Sequence, residues 1–244
     1  MNSDTHYDLI LKNGKAVLPE GTTEVNIGIK DEKIQEIGSL ANSSAEEIID
    51  CKDLHILPGV IDTQVHFREP GLENKENLES GMMAAAFGGV TAVFEMPNTN
   101  PLTITPETIT DKLNRASRAA WTDYAFYLGG TGKTGPNLTN WENAPGICGI
   151  KIFMGASTGD LLSASDEEVE SVLSHGKRVV AVHAEDQYIM EENKEIILGD
   201  SNDVSLHNEW RSPESCLSAT TRLVNIAKKY GRRVHILHIT TSEE

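Results

Sequence analysis

The sequence predicts an α/β fold: a barrel of the (β/α)8 TIM type, with about six βα units present, behind a small N-terminal β subdomain. Three observations point there. From His55 onward, apolar strand-like runs alternate with amphipathic helical stretches, so the strands should be parallel and their crossovers right-handed. Polar residues fall near the ends of many of these strands. A barrel gathers all its strand ends around one site, whereas an open doubly wound sheet concentrates its site at one switch point. Residues 1–54 lack helical periodicity and read as short strands. The expected boundaries are therefore 1–54 and 55–244.

In the first part, "YDLILKNGKAVL" carries Asn13-Gly14 as a hairpin signal, and "NIGIKDEKIQEIG" repeats the pattern around Asp31-Glu32. The first barrel strand is expected over "HILPGVIDTQVHF", followed by a helix at about Asn74–Phe87 that stops at Gly88-Gly89. Strand "VTAVFEMP" follows, and Thr105-Pro106 then opens a helix with a cap and a proline in its first turn. "DYAFYLGG" is a third strand. A glycine-rich loop leads to a fourth, "GIKIFMG". Ser165 and Glu168 form a capping box for the next helix, which Gly176 ends. "RVVAVHAE" is a fifth strand. Ser212-Pro213 starts a helix that runs to Gly231, and "VHILHIT" is a sixth strand.

Composition narrows the function. With 21 Lys and Arg against 37 Asp and Glu, net charge is −16, which disfavours nucleic acid and anionic membranes as partners. No apolar run is long enough to span a bilayer. The N-terminus lacks a basic-then-apolar leader, and three widely spaced cysteines form no CxxC pair. The expectation is a soluble, cytoplasmic protein.

The strand "DTQVHFREPG" is the most unusual segment. Asp62, Gln64, His66 and Arg68 recur at every second position, a spacing that puts all four on one face of an extended chain. Further along, Asn98 sits in the turn "MPNTNP", Lys151 between two isoleucines, His183 in "VVAVHAED" and His238 in "VHILHIT". A single histidine on a strand is usually a core or rim residue bonded to backbone. Three of them at three strand ends, with a lysine in the same layer, would suit a divalent metal of the zinc type. The other five histidines, His6, His55, His175, His207 and His235, fall in contexts that read as structural or surface. Lys151 either snorkels to the rim or is neutral and reactive, because a bare buried ammonium is costly. A neutral amine can take up carbon dioxide, and the carbamate is an anionic oxygen ligand able to bridge two metals. Arg68 offers a planar fork suited to a carboxylate, unless it merely pairs with Glu69 or Asp62.

Taken in order, "LPGVIDTQVHFREPG", "MPNTNP", "GIKIFMGASTG", "VHAED" and "HILHITT" resemble dihydroorotase, of the amidohydrolase superfamily. The resemblance runs from Leu57 to the end and implies an amidohydrolase barrel with one or two zinc ions. It implies interconversion of dihydroorotate and N-carbamoyl-aspartate in pyrimidine biosynthesis. By that likeness His66 is a metal ligand from the first strand, Lys151 is the carboxylated bridging ligand, and His183 and His238 hold the second metal. Arg68 and Asn98 grip the substrate carboxylate. The family often forms dimers. There are two departures from its pattern. Gln64 stands where it usually has the first histidine of His-x-His, and an amide oxygen is a poorer zinc ligand than imidazole. The family also has eight strands and a catalytic Asp on the eighth, whereas this sequence stops after the sixth, so the expectation is a portion of a longer protein. Two alternatives stay open. One is hydrolysis of another ring, such as allantoin or a hydantoin. The other is a non-catalytic dihydroorotase-like scaffold for aspartate carbamoyltransferase.

Overall fold

The computed structural model describes residues 5–155 and 161–244. The chain divides into two compact units, 1–59 and 60–244.

In the first unit, β1 (His6–Leu18), β2 (Gly21–Lys30), β3 (Lys33–Gly38) and β4 (Ser44–Asp50) form a sheet in the order β3-β2-β1-β4, and the short β5 (His55–Ile56) also pairs with β1. The Asp31-Glu32 hairpin is present. Lys30 pairs with Lys33, and both turn residues have positive φ, 50° and 60°, as a two-residue primed turn requires. Asn13-Gly14 does not reverse the chain. It is a bulge inside β1, where the register on β2 shifts between Leu11 and Gly14. Hydrogen bonds hold Asn13 there: its N–H donates to Asn26 Oδ1 (3.0 Å) and its Nδ2 to Asp50 Oδ1 (3.0 Å). The actual reversal comes after Leu18, which pairs with Gly21. Tyr7, Ile10 and Leu40 make a small core.

The run read as one strand, "HILPGVIDTQVHF", is split at Pro58-Gly59. Proline has no N–H for a ladder, so β5 pairs with β1 while β6 (Val60–Val65) opens the second unit. There β6, β7 (Val90–Glu95), β8 (Asp123–Gly129), β9 (Ile147–Phe153), β10 (Val180–His183) and β11 (Val234–Ile236) form one sheet in sequence order. Every pairing is parallel. The order never reverses, so there is no switch point, and the sheet curls into half a barrel with its strand ends on one rim.

Local chemistry places the intervening helices. Helix α1 (Leu78–Phe87) begins four residues later than periodicity predicts, because Asn77 accepts from Ser80 N–H and sets the cap. Helix α2 (Pro106–Ala119) has a reciprocal box between Thr105 and Thr108. Helix α3 (Leu138–Trp141) is a single turn in the glycine-rich connection. Helix α4 (Asp166–Leu173) has the Ser165–Glu168 box. Short helices α5 (Gln187–Asn193) and α6 (His207–Trp210) precede α7 (Pro213–Tyr230), which ends on Gly231 at φ 61°. Each such cap contributes about 1 kcal/mol. One sheet face, with Val93, Leu128, Ile150, Ile152 and Val182, packs with buried helix residues such as Ile109, Val169 and Leu223. A second cluster joins Met96, Tyr127, Ala181 and Leu237. No helix among the described residues is long and apolar enough to cross a membrane.

Candidate active site

The strand ends carry the polar residues that the sequence singles out. His66 follows the last residue of β6, Asn98 follows β7, Lys151 lies in β9, His183 ends β10 and His238 follows β11. Of the motif "GIKIFMGASTG", residues 156–159 lie outside the described residues.

Strict alternation along "DTQVHFREPG" is not preserved. The register between β6 and β7 slips between Asp62 and Val65, and Arg68 has φ 68°. The Asp62 carboxylate accepts the Gln64 N–H (3.0 Å), a local turn bond, rather than pairing with Arg68. The four side chains therefore do not share a face by extended geometry. What brings Arg68 near His66 is the loop that follows.

That loop is knitted to the turn "MPNTNP". The Asn100 N–H donates to the Pro70 carbonyl (2.8 Å) and the Met96 N–H to the Val65 carbonyl (3.0 Å). Gly71 has φ 89°, and a Cβ there would lie 2.0 Å from the Asn100 oxygen. Only glycine allows this approach. His66 Nδ1 and Asn98 Oδ1 are 2.8 Å apart. Since the amide oxygen only accepts, Nδ1 carries the proton and Nε2 keeps its lone pair. Burial lowers the His66 pKa to about 4, the Asn98 bond opposes the fall, and the charges of Arg68, Lys151 and His238 add to it. These residues thus sit close enough to feel one another, and His66 is held neutral, the form that binds metals.

Lys151 is 1 % exposed. Its ladder neighbours are Gly129 and Ala181, which offer no side-chain acceptor. Nζ has no hydrogen-bond partner and lies 4.3 Å from the centre of the Phe153 ring. Burial alone brings its pKa down to about 7, so at neutral pH a large share of the amine is unprotonated. Lys151 does not snorkel.

His183 Nδ1 and His238 Nε2 are 3.0 Å apart. Two ring nitrogens aimed at one point can share a proton or a cation. His183 Nε2 contacts Glu185, which also receives Arg211 through Nε (2.8 Å) and Nη2. Burial would raise the Glu185 pKa, but the hydrogen bonds from His183 and Arg211 outweigh it and hold the group at about 2. Glu185 is thus an ionised carboxylate able to accept a hydrogen bond from the His183 Nε2–H, which leaves the Nδ1 lone pair free for a metal, as carboxylates do behind metal-binding histidines. A cavity of about 290 Å³ opens beside this pair, lined among others by Glu185, Arg211, His207 and His238. His207, expected to be structural or surface, is exposed and lies at the rim of this cavity.

Glu185 and Arg211 were not evident from sequence. An acid two residues beyond His183 in "VHAED" is a faint signal, and Arg211, in an irregular polar stretch, gives none. Among the described residues no three His, Cys, Asp or Glu side chains stand together as a metal-holding group. The donor chemistry nevertheless fits a divalent ion: His183 and His238 converge, His66 is neutral with Nε2 open, and the unpartnered Lys151 Nζ is positioned to become an oxygen donor once carboxylated.

Comparison with known proteins shows what the chain is similar to. A model of the family described as dihydro-orotase-like matches residues 54–244. An allantoinase of Bacillus velezensis is 33 % identical over 242 residues, covering 96 % of this chain and 53 % of its own. A dihydroorotase of Thermococcus kodakarensis is 36 % identical over 238 residues, covering 96 % and 51 %. Among solved structures, the L-hydantoinase (dihydropyrimidinase) from Arthrobacter aurescens superposes with a TM-score of 0.88 at 28 % identity, covering 96 % of this chain and 53 % of that one. The chain spans about half the length of the curated relatives it matches.

Proposed function

We propose, from the premise that the chain belongs to the dihydro-orotase-like family, that the whole protein is a metal-dependent cyclic amidohydrolase. More specifically, we propose a dihydroorotase that interconverts dihydroorotate and N-carbamoyl-aspartate. The choice of substrate rests on one observation: an arginine, Arg68, held beside the neutral His66 by the loop "HFREPG". A guanidinium there supplies a fork for a substrate carboxylate, which dihydroorotate carries and hydantoin and allantoin rings lack.

In this reading His66, His183, His238 and carboxylated Lys151 would hold one or two zinc-type ions. Such an ion, when bound, supplies Lewis-acid polarisation of the ring carbonyl and a water of lowered pKa. The protein's own groups set the stage. Asn98 fixes the His66 proton on Nδ1, and Glu185, braced by Arg211, accepts a hydrogen bond from the His183 Nε2–H. The dry setting of Lys151 keeps a large share of its amine neutral at neutral pH and able to react with carbon dioxide. Arg68 anchors the substrate so that the scissile amide faces the histidines. Gln64 is the weak donor of the set.

A second reading, hydrolysis of allantoin or a hydantoin, is favoured by the allantoinase relative and the hydantoinase superposition. Turnover of dihydroorotate, allantoin and hydantoin by the whole zinc-loaded protein, measured side by side, separates the two. Hydrolysis of dihydroorotate is expected. Activity confined to the other two rings refutes the substrate assignment. No turnover of any ring, with less than one metal ion per chain, identifies a scaffold.

A further inference from the structure

The turn that follows β10 is held by more bonds than its local structure needs. Asp186, the residue after Glu185, is 5 % exposed, and each of its hydrogen-bonding groups is engaged. Its N–H donates to the Ser215 carbonyl (2.9 Å), and its own carbonyl accepts the Met190 N–H (3.0 Å). Oδ1 accepts the N–H groups of Tyr188 (3.1 Å) and Ile189 (3.4 Å) and so caps α5. That cap needs one oxygen only. The other, Oδ2, accepts from two residues of α7, Ser218 Oγ (2.7 Å) and Arg222 Nη1 (2.9 Å).

Arg222 does not serve Asp186 alone. Its Nε donates to Asp166 Oδ1 (2.7 Å), in the first turn of α4, and its Nη2 to the carbonyl of Ala164 (2.7 Å), between β9 and α4. The rigid fork of a guanidinium suits three acceptors at once, which an ammonium does not match. One side chain thus ties the connection after β9, the turn after β10 and α7 to one another. Its two ion pairs differ in setting. The Asp186 side chain is 7 % exposed and that of Asp166 54 %, so solvent screens the Asp166 arm and the Asp186 arm carries the hold. On the strand side of the same turn, the Met154 N–H donates to the His183 carbonyl (3.0 Å). Between these fixed points Glu185 meets His183 Nε2.

We infer that Arg222 is a positioning residue. Through Asp186 it pins the turn after β10 to α7 and α4, and so keeps Glu185 against His183 and the imidazole directed at His238. The inference rests on the proposed role of His183 as a metal ligand. Arg222 and Asp186 act through Glu185 and not on substrate.

The test is zinc affinity of the whole protein, measured by competition with a chelator, together with amide hydrogen exchange of the metal-free form. Arg222→Met removes the fork. Asp186→Asn keeps the shape and the cap of α5 but removes the charge that Arg222 grips. Each should weaken zinc binding about tenfold, the low end for an outer partner of a ligand, and residues 183–187 should exchange faster. Asp166→Asn breaks only the exposed arm and should change affinity by less than about threefold. The deciding comparison places Arg222→Met in Glu185→Ala protein. With its intermediary gone, Arg222 should cost less than about threefold further. Unchanged affinity in Arg222→Met and Asp186→Asn, an equal loss in Asp166→Asn, or a full loss that persists without Glu185 overturns the inference. If Arg222→Met does not fold, Asp186→Asn takes its place in the same comparisons. A parent protein that binds no zinc refutes the metal reading instead. Exchange over 183–187 then decides alone, and unchanged exchange in the variants overturns the positioning role.

Discussion

Replacing Lys151 by methionine should stabilise the metal-free protein while abolishing the proposed metal site. The magnitude follows from burial. Lys151 Nζ lies in an apolar setting without a partner, and its pKa falls from an ordinary 10.5 to about 7. At about 1.4 kcal/mol for each tenfold change in proton affinity, that fall corresponds to about 5 kcal/mol. The sign is set by which state holds the proton. Below about pH 7 both folded and unfolded chains carry the charge, and the folded state bears the full desolvation cost. Between about 7 and 10.5 the folded chain has released a proton that the unfolded chain retains, so stability rises with pH. Above 10.5 both are neutral and the cost vanishes. Methionine keeps a similar length and a favourable contact with the Phe153 ring but carries no charge. The advantage of Lys151→Met over the parent should thus be about 5 kcal/mol at pH 6 and shrink toward zero by about pH 10.5. The assay is urea unfolding of chelated protein in buffers free of carbon dioxide, at several pH values, for both proteins. A difference that does not vary with pH, or a methionine variant less stable than the parent at pH 6, would refute the burial argument. Metal content should move the opposite way. Lys151→Met and Lys151→Ala should both lose bound zinc and activity, and short carboxylic acids should partly restore them in the alanine variant by filling the place of the carbamate.

Two further substitutions probe the loop and its histidine. Gly71→Ala forces an L-residue to φ 89° with its Cβ against the Asn100 oxygen; stability should fall by about 2 kcal/mol or more, read as a lowered thermal midpoint, and an unchanged midpoint would show that the two loops are not locked together. Asn98→Ala removes the acceptor of the His66 Nδ1 proton; zinc affinity, measured by competition with a chelator, should weaken about ten- to a hundredfold, and unaltered affinity would exclude His66 as an oriented ligand.

Much of this molecule is legible as local chemistry. Thr105, Ser165 and Ser212 mark helix starts by side chains that cap backbone N–H groups, and the structure starts helices at all three. Gly231 marks a helix end that needs a left-handed residue. Such signals act within a few residues, so the chain alone carries them. Asn13-Gly14 shows the limit. The same dipeptide serves a turn or a bulge, and Asn26 and Asp50, distant in sequence, decide for the bulge. The sequence reading runs one strand through Pro58-Gly59, where the structure breaks it, and the pairing of β5 with β1 depends on a partner more than thirty residues away.

The candidate site divides in the same way. The sequence by itself determined the residue types at the strand ends, His66, Lys151, His183 and His238, because a parallel βα repeat sends every strand toward the same rim. By the resemblance to dihydroorotase, Gln64 stands where the family usually has a histidine. Only the tertiary structure decided which nitrogens are free and what holds the loops. Asn98 claims one nitrogen of His66, and Glu185, gripped by Arg211, lies against Nε2 of His183. The physical reason is range. Capping and alternation are set by neighbours along the chain, whereas proton placement and the electrostatic cost of burial depend on groups that only the packed fold brings within a few ångströms.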